Sequence, residues 1–179
     1  MVLRNVLMNL SENEMLNAAA QKYGLKLGAE SVVAGTNLEE MIESVKKLNA
    51  QGIEATIDNL GEFVYDEAIA TKAKDEILEV IDAIQTHGLN AHISVKPSQV
   101  GLDIDIDFCY DNLREIVERA YEYGIFVNFD MENYERLNPT LDILEELAKS
   151  FDNIGTVVQA YLFRAKEDLE RFKDFRMRI

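Results

Sequence analysis

Apolar positions in this chain switch repeatedly between two spacings. Stretches with the three-and-four period of an amphipathic helix are followed by short unbroken runs rich in β-branched residues. Two helix starts carry a capping box, in which a Ser or Thr hydroxyl and a Glu three residues on satisfy each other's backbone donors. Ser11-Glu-Asn-Glu14 predicts a helix over 11–23, stopped by Gly24. Thr36-Asn-Leu-Glu39 predicts another, with Met41, Ile42, Val45 and Leu48 on one face and an end near Gly52. Strands are expected over 53–57, 90–95, 125–129 and 156–161, with a plausible first strand over 31–34. Helices are expected over 66–85, 107–123, 140–150 and 166–172.

Strands alternating with helices mean parallel pairing through right-handed crossovers. The strand runs are nearly all apolar, so both sheet faces are expected to be covered. A helix, then a glycine, then a strand recurs at Gly52, Gly88, Gly124 and, more loosely, Gly155. Units of roughly 30 to 40 residues fit a (β/α) barrel or a doubly wound sheet. Ala34-Gly-Thr-Asn37 offers one glycine where a dinucleotide fingerprint needs three, which argues against a Rossmann site. Five strands are expected, and Phe175-Arg-Met-Arg-Ile179 reads as the opening of a sixth. A closed barrel needs about eight. The pattern therefore describes either an open sheet or a barrel cut short.

Composition narrows the class. The 179 residues, 47 % of them hydrophobic, suffice for one domain with a real core. Eighteen basic against 33 acidic residues give a formal charge of −15. That sign repels phosphates, which excludes nucleic acid as a partner and opposes simple docking on anionic lipid. The single cysteine, Cys109, excludes an internal disulfide and a cysteine zinc cluster; it reads as a small buried hydrophobe. No run approaches the ~18 apolar residues of a membrane span. The first ten residues make a poor signal peptide, so a reducing cytoplasm is expected.

Candidate chemistry lies at the strand ends. Lys96 closes the run Ile93-Ser-Val-Lys96 and precedes Pro97, which holds it extended. An inward lysine there can bind a carboxylate, form a Schiff base or act as a base; otherwise it snorkels to the rim and pairs with an acid. Asp130 ends the neighbouring strand and is the expected partner, with Glu132 two residues on. These three groups can also hold a divalent metal, although no histidine is near them in sequence; no metal is expected. His92 reads as a satisfied structural histidine. Gln159 reads as an amide inside an apolar strand, where an unpaired polar group is costly, so it should meet a ligand or a second polar side chain. Asp58 can cap the following helix. Arg164 and Arg178 are cations near strand ends that can meet an anionic or electron-rich ligand.

Thr56-Ile-Asp-Asn-Leu-Gly-Glu62, Ser94-Val-Lys-Pro-Ser-Gln-Val-Gly-Leu-Asp103, Asn128-Phe-Asp-Met-Glu132 and Val158-Gln-Ala-Tyr161 occur in this order. Together they resemble the monofunctional bacterial proline dehydrogenases, from about Val32 to Ile179. The resemblance implies an α/β fold of the (β/α)8 TIM-barrel type with an N-terminal helical arm. On that reading residues 1–30 are the arm and 31–179 a partial barrel, truncated after about five strands with the start of strand six. The resemblance further implies FAD as cofactor, L-proline as substrate, and a quinone at the membrane surface as electron acceptor. Lys96 would be a catalytic residue that binds the proline carboxylate or braces the groups that do. Asp130 would join it in the catalytic cluster and on the cofactor side. Gln159 would contact the flavin, and Arg178 would approach its reactive nitrogen.

The implied activity is FAD-dependent oxidation of L-proline to Δ1-pyrroline-5-carboxylate. The implied location is the cytoplasm, with peripheral contact at the inner face of the membrane for the full-length enzyme. The family's remaining strands, and a C-terminal helix with paired arginines for the substrate carboxylate, have no counterpart before Ile179. Two alternatives stand beside this reading. One is a catalytically incompetent partial-barrel fragment whose open edges favour self-association; the other is an unrelated TIM-barrel lyase using Lys96.

Overall fold

The computed structural model describes residues 35–179. The expected helix over 11–23 and strand over 31–34 lie outside them. The chain partitions into two compact units, 1–44 and 45–179. The described end of the first unit enters helix α1 (Leu38–Asn49). Its cap is shifted by one residue from the expected box. Asn37 Oδ1 accepts from the Glu40 amide at 3.0 Å, and Glu40 Oε2 reaches back to the Thr36 amide at 2.7 Å. Asn37 rather than Thr36 is the cap, and Glu40 rather than Glu39 supplies the carboxylate, which binds the Thr36 amide one residue before the cap instead of the cap's own amide. The Thr36 amide above all, then the Thr36 hydroxyl and the Asn37 side chain, lower the pKa of the Glu40 carboxyl.

The second unit is a parallel sheet: β1 (Ala55–Asp58), β2 (Ala91–Val95), β3 (Val127–Phe129) and β4 (Ile154–Thr156). Strand order is β1-β2-β3-β4, so each strand lies beside its successor. Right-handed crossovers between consecutive neighbours put every connecting helix on one face of the sheet. A doubly wound sheet reverses its order and carries helices on both faces. The observed order therefore selects the barrel type. These helices are α2 (Glu67–His87), α3 (Ile106–Glu122), α4 (Tyr134–Ala148) and, after β4, α5 (Ala165–Arg171). Ion pairs stitch the outer layer in chain order: Arg119 to Asp82 between α3 and α2, and Arg171 to Asp142 and Glu145 between α5 and α4. A single parallel bridge, Gly155 to Arg178, extends the sheet beyond β4.

Local sequence explains the element ends. Asp66, Asp105 and Asn133 cap α2, α3 and α4, each accepting from the amide three residues on. Gly88 ends α2 in the left-handed conformation at φ 58°, which only glycine adopts without penalty. Helix α4 starts six residues before the expected 140, because Pro139 lies inside it rather than at its boundary. Strand β4 occupies 154–156, not the expected 156–161. Gly155 consequently sits within a strand instead of ending a helix. A Cβ there would lie 2.5 Å from Phe126 Cζ and 2.8 Å from the Arg178 carbonyl oxygen, so the close approach requires glycine.

The core lies between sheet and helices. Ile57, Ile93, Val95, Val127, Phe129 and Ile154 meet the helical layer, where Ile77, Ile81, Leu113, Ile116, Leu144 and Leu147 are buried. The opposite face departs from expectation. Alternation assigns to it Thr56 and Asp58 on β1, His92, Ser94 and Lys96 along β2, and Asn128 and Asp130 along β3. That face is polar, and neither Thr56 nor Asp58 is buried. Among the described residues, helices cover the sheet on one side only.

Candidate active site

The polar face culminates at the C-terminal ends of the strands, where (β/α) barrels build their sites. Strand pairing sets Asp58, Ser94 and Asn128 side by side in one register row. Lys96 follows β2 and Asp130 follows β3. Pro97 opens a short 3-10 turn (Pro97–Gln99) and leaves Lys96 extended at φ −99°, ψ 120°. The ammonium lies between two carboxylates, donating to Asp58 Oδ2 at 2.7 Å and 3.3 Å from Asp130 Oδ2. Burial opposes its charge most, but the Asp58 bond and both carboxylates outweigh burial and raise its pKa above the ordinary 10.5. A permanently charged, doubly paired lysine is the wrong state for a Schiff-base nucleophile, which must shed its proton.

Asp130 is itself held. The Ser94 hydroxyl donates to Asp130 Oδ1 at 2.7 Å, and Asn128 Nδ2 donates to the same oxygen at 3.0 Å and to Ser94 Oγ at 3.1 Å. One carboxylate oxygen thus takes two donors while the other faces Lys96. Asp58, read from sequence as a helix cap, instead anchors Lys96; Asp66 does the capping. Glu132 turns away to Ser98, accepting from its amide at 3.0 Å and from its hydroxyl. Among the described residues no group of three or more His, Cys, Asp or Glu side chains is placed to hold a metal.

An open cleft of about 400 Å³ borders this cluster, lined by Lys96 and Asp130, by Phe63, Met131 and Val157, and by Glu62, Glu132 and Asn133. Gln159 is corrected. It lies after β4 rather than inside a strand, is half-buried, and donates from Nε2 to the Glu132 carbonyl at 3.0 Å. Its partner is a backbone carbonyl, neither the ligand nor the second polar side chain expected for it. Arg178 is exposed, and its guanidinium lies 4.2 Å over the Phe126 ring, on the same polar face but not among the contacts of Lys96 and Asp130. Arg164 closes a bidentate pair with the buried Asp168. His92 bonds Thr56 Oγ1 at 2.8 Å and meets Phe126 edge-on at 5.5 Å. Cys109 is fully buried against the Pro97 carbonyl; burial above all, then Glu132 and Asp103, pushes its thiol pKa far up, as befits an inert hydrophobe.

Reading the sequence missed Ser94, Asn128 and the Ser98–Glu132 pair. Their signal was position: Ser94 and Asn128 precede Lys96 and Asp130 by two, hence share their face. Chemically the site offers a fixed cation for a substrate carboxylate, a fixed carboxylate beside it, and apolar walls for a hydrocarbon body.

Known proteins share this arrangement of sequence and fold. The family model described as proline dehydrogenase matches residues 41–177. The chain is 39 % identical to proline dehydrogenase 1 of Bacillus subtilis over 175 residues, which is 98 % of this chain and 58 % of the relative. It is 33 % identical to the proline dehydrogenase of Deinococcus radiodurans, again covering 98 % of this chain and 58 % of that protein. The crystal structure of proline utilization A from Bdellovibrio bacteriovorus, inactivated by N-propargylglycine, superposes with a TM-score of 0.73 at 25 % identity, covering 87 % of this chain and 19 % of that one. The chain thus spans a little over half the length of the curated relatives it matches. With the family model matching more than three-quarters of its residues, the chain belongs to the proline dehydrogenase family.

Proposed function

We propose that the full-length protein is a proline dehydrogenase that oxidises L-proline to Δ1-pyrroline-5-carboxylate with FAD as cofactor. The observation that carries the proposal is the Lys96 ammonium, fixed by Asp58 and Asp130 beside a cleft with apolar walls. Proline pairs a carboxylate with a saturated ring, and that cleft offers a cation and hydrocarbon side chains together. Lys96 orients the substrate carboxylate. Asp130, held by Ser94 and Asn128, keeps the lysine charged and aimed. Proline loses a hydride from the ring carbon next to nitrogen and a proton from nitrogen, leaving the C=N bond of the product.

The residues present suit a flavin. Its polar edge needs hydrogen-bonding side chains, and Gln159 and Arg178 offer an amide and a guanidinium outside the walls given to proline. Gln159 and Arg178 are the side chains proposed to hold it, with Asp130 at its margin. Arg178 would first have to leave the Phe126 ring, a contact worth only about 0.5–1 kcal/mol at an exposed site. When bound, the flavin supplies the hydride acceptor.

We further propose a membrane quinone as the final acceptor. Among the described residues no helix is long and apolar enough to cross a membrane, so the proposed contact is peripheral, at the inner face of the membrane.

Anaerobic mixing of L-proline with the FAD-loaded full-length protein tests the reading. The yellow flavin absorbance should bleach and an imine product should accumulate in equal amount. A flavin that stays oxidised in excess L-proline would sink the assignment.

A further inference from the structure

Phe63 lines the cleft in a conformation that L residues avoid. Its φ of 56° is the one positive value at a non-glycine among the described residues. A bulky side chain in the left-handed region is disfavoured, and such outliers persist only where the surroundings impose them. Two independent sets of contacts do so here. The Phe63 amide donates to Ser98 Oγ at 3.0 Å, and the Val64 amide donates to the Ser98 carbonyl at 3.0 Å. Ser98 is fully buried, and its own amide and hydroxyl donate hydrogen bonds to the Glu132 carboxylate. The backbone is thereby fixed through a chain ending on a charged acceptor. The ring is fixed separately: the Arg136 guanidinium carbon lies 4.4 Å from its centroid. Arg136 is forked onto Asp103, with Nε to Oδ1 at 2.9 Å and a terminal nitrogen to Oδ2 at 2.7 Å. Both side chains of that pair are largely buried, 13 % and 15 % exposed.

The loops after β1, β2 and β3 and the first turn of α4 thus converge on one aromatic ring. The ring they hold remains 38 % exposed, on the wall of the cleft that Lys96 and Asp130 border. We propose that Phe63 sets substrate specificity as a rigid wall that limits the size of the cyclic amino acid accepted beside Lys96. The inference rests on the proline reading given above. With the carboxylate held at Lys96, the hydrocarbon ring extends toward the apolar walls. Met131 and Val157 contribute to those walls as flexible or loop-borne side chains, whereas Phe63 is locked. A wall that cannot yield is what separates a five-membered ring from its six-membered homologue.

The test compares kcat/KM for L-proline with that for its six-membered homologue, piperidine-2-carboxylate, in the full-length protein. Phe63→Gly removes the ring and tolerates the left-handed backbone; Phe63→Leu keeps part of the wall and checks that loss of folding is not the cause. The ratio should move toward the larger substrate by about tenfold in Phe63→Gly, the scale of one methylene in an apolar pocket, and by less in Phe63→Leu. Loss of stability lowers both values together and leaves their ratio unchanged. A ratio unchanged within twofold in both variants, with wild type active on proline, overturns the wall and leaves the proline reading standing. A wild-type protein inactive on proline overturns both.

Discussion

Lys96 sets one ammonium between two acidic neighbours at the proposed site. In Lys96→Ala the proposed carboxylate contact is lost. A charge-assisted hydrogen bond is worth about 1.5–3 kcal/mol, so KM for proline should rise about 10- to 150-fold in steady-state assays of the full-length protein. An unchanged KM would remove Lys96 from the substrate site. The raised pKa of Lys96 also fixes a pH dependence. A base whose folded pKa exceeds its unfolded value contributes stability that is fully present below the ordinary 10.5 and lost as pH rises through the higher folded value. Denaturant melts of wild type and Lys96→Met should therefore differ by a constant amount from neutral pH to about pH 10 and converge above it. Convergence on the acid side of neutrality would mean that the carboxylates, not the lysine, control the pair.

Gln159→Ala removes one neutral hydrogen bond, about 1 kcal/mol, so FAD affinity should fall about fivefold with little change in proline KM. An effect confined to proline would reassign it to the substrate. Lys96 and Asp130 were legible in the sequence because charged groups at the ends of apolar runs are rarely packing choices. The partnership of Asp58 with Lys96 was not, because it spans 38 residues and depends on strand register.

At the scale of elements, legibility followed capping chemistry. Helices α2 and α3 were placed to within two residues because their caps are local. Strand β4 was misplaced because Val157 and Val158 carry the stronger β propensity, while tertiary contacts select Ile154 to Thr156. Gly155 is the cause: only a residue without a side chain admits Phe126 and the Arg178 backbone so closely. Gly155→Ala should therefore destabilise the fold by about 1–3 kcal/mol in urea melts, as overpacking does. Equal stability would show that the edge beyond β4 can yield. Asp105→Ala removes only a cap, should cost about 1 kcal/mol, and should leave proline KM unchanged.

For the whole molecule, parallel alternation was legible but the one-sided sheet was not. Short apolar runs alternating with helical periodicity announce a sheet; only register reveals that Thr56, His92 and Asn128 share a polar face. Among the described residues Thr56 and Asp58 on that face, and several apolar side chains, are exposed. Leu60 is 74 % exposed and Tyr161 78 %. Among the described residues β1 pairs only with β2, and a strand edge without a partner invites pairing with another chain. The charge of −15 opposes association, but it acts through solvent and is screened within about 8 Å at physiological salt. Apolar burial and strand pairing act at contact and are not screened. Salt therefore removes the opposing term and leaves the attractive ones, so this 179-residue chain on its own should self-associate, increasingly as salt is raised. Sedimentation velocity across a salt series measures it. A compact monomer at every salt concentration would show that the polar face and β1 edge are sufficiently solvated to stand alone.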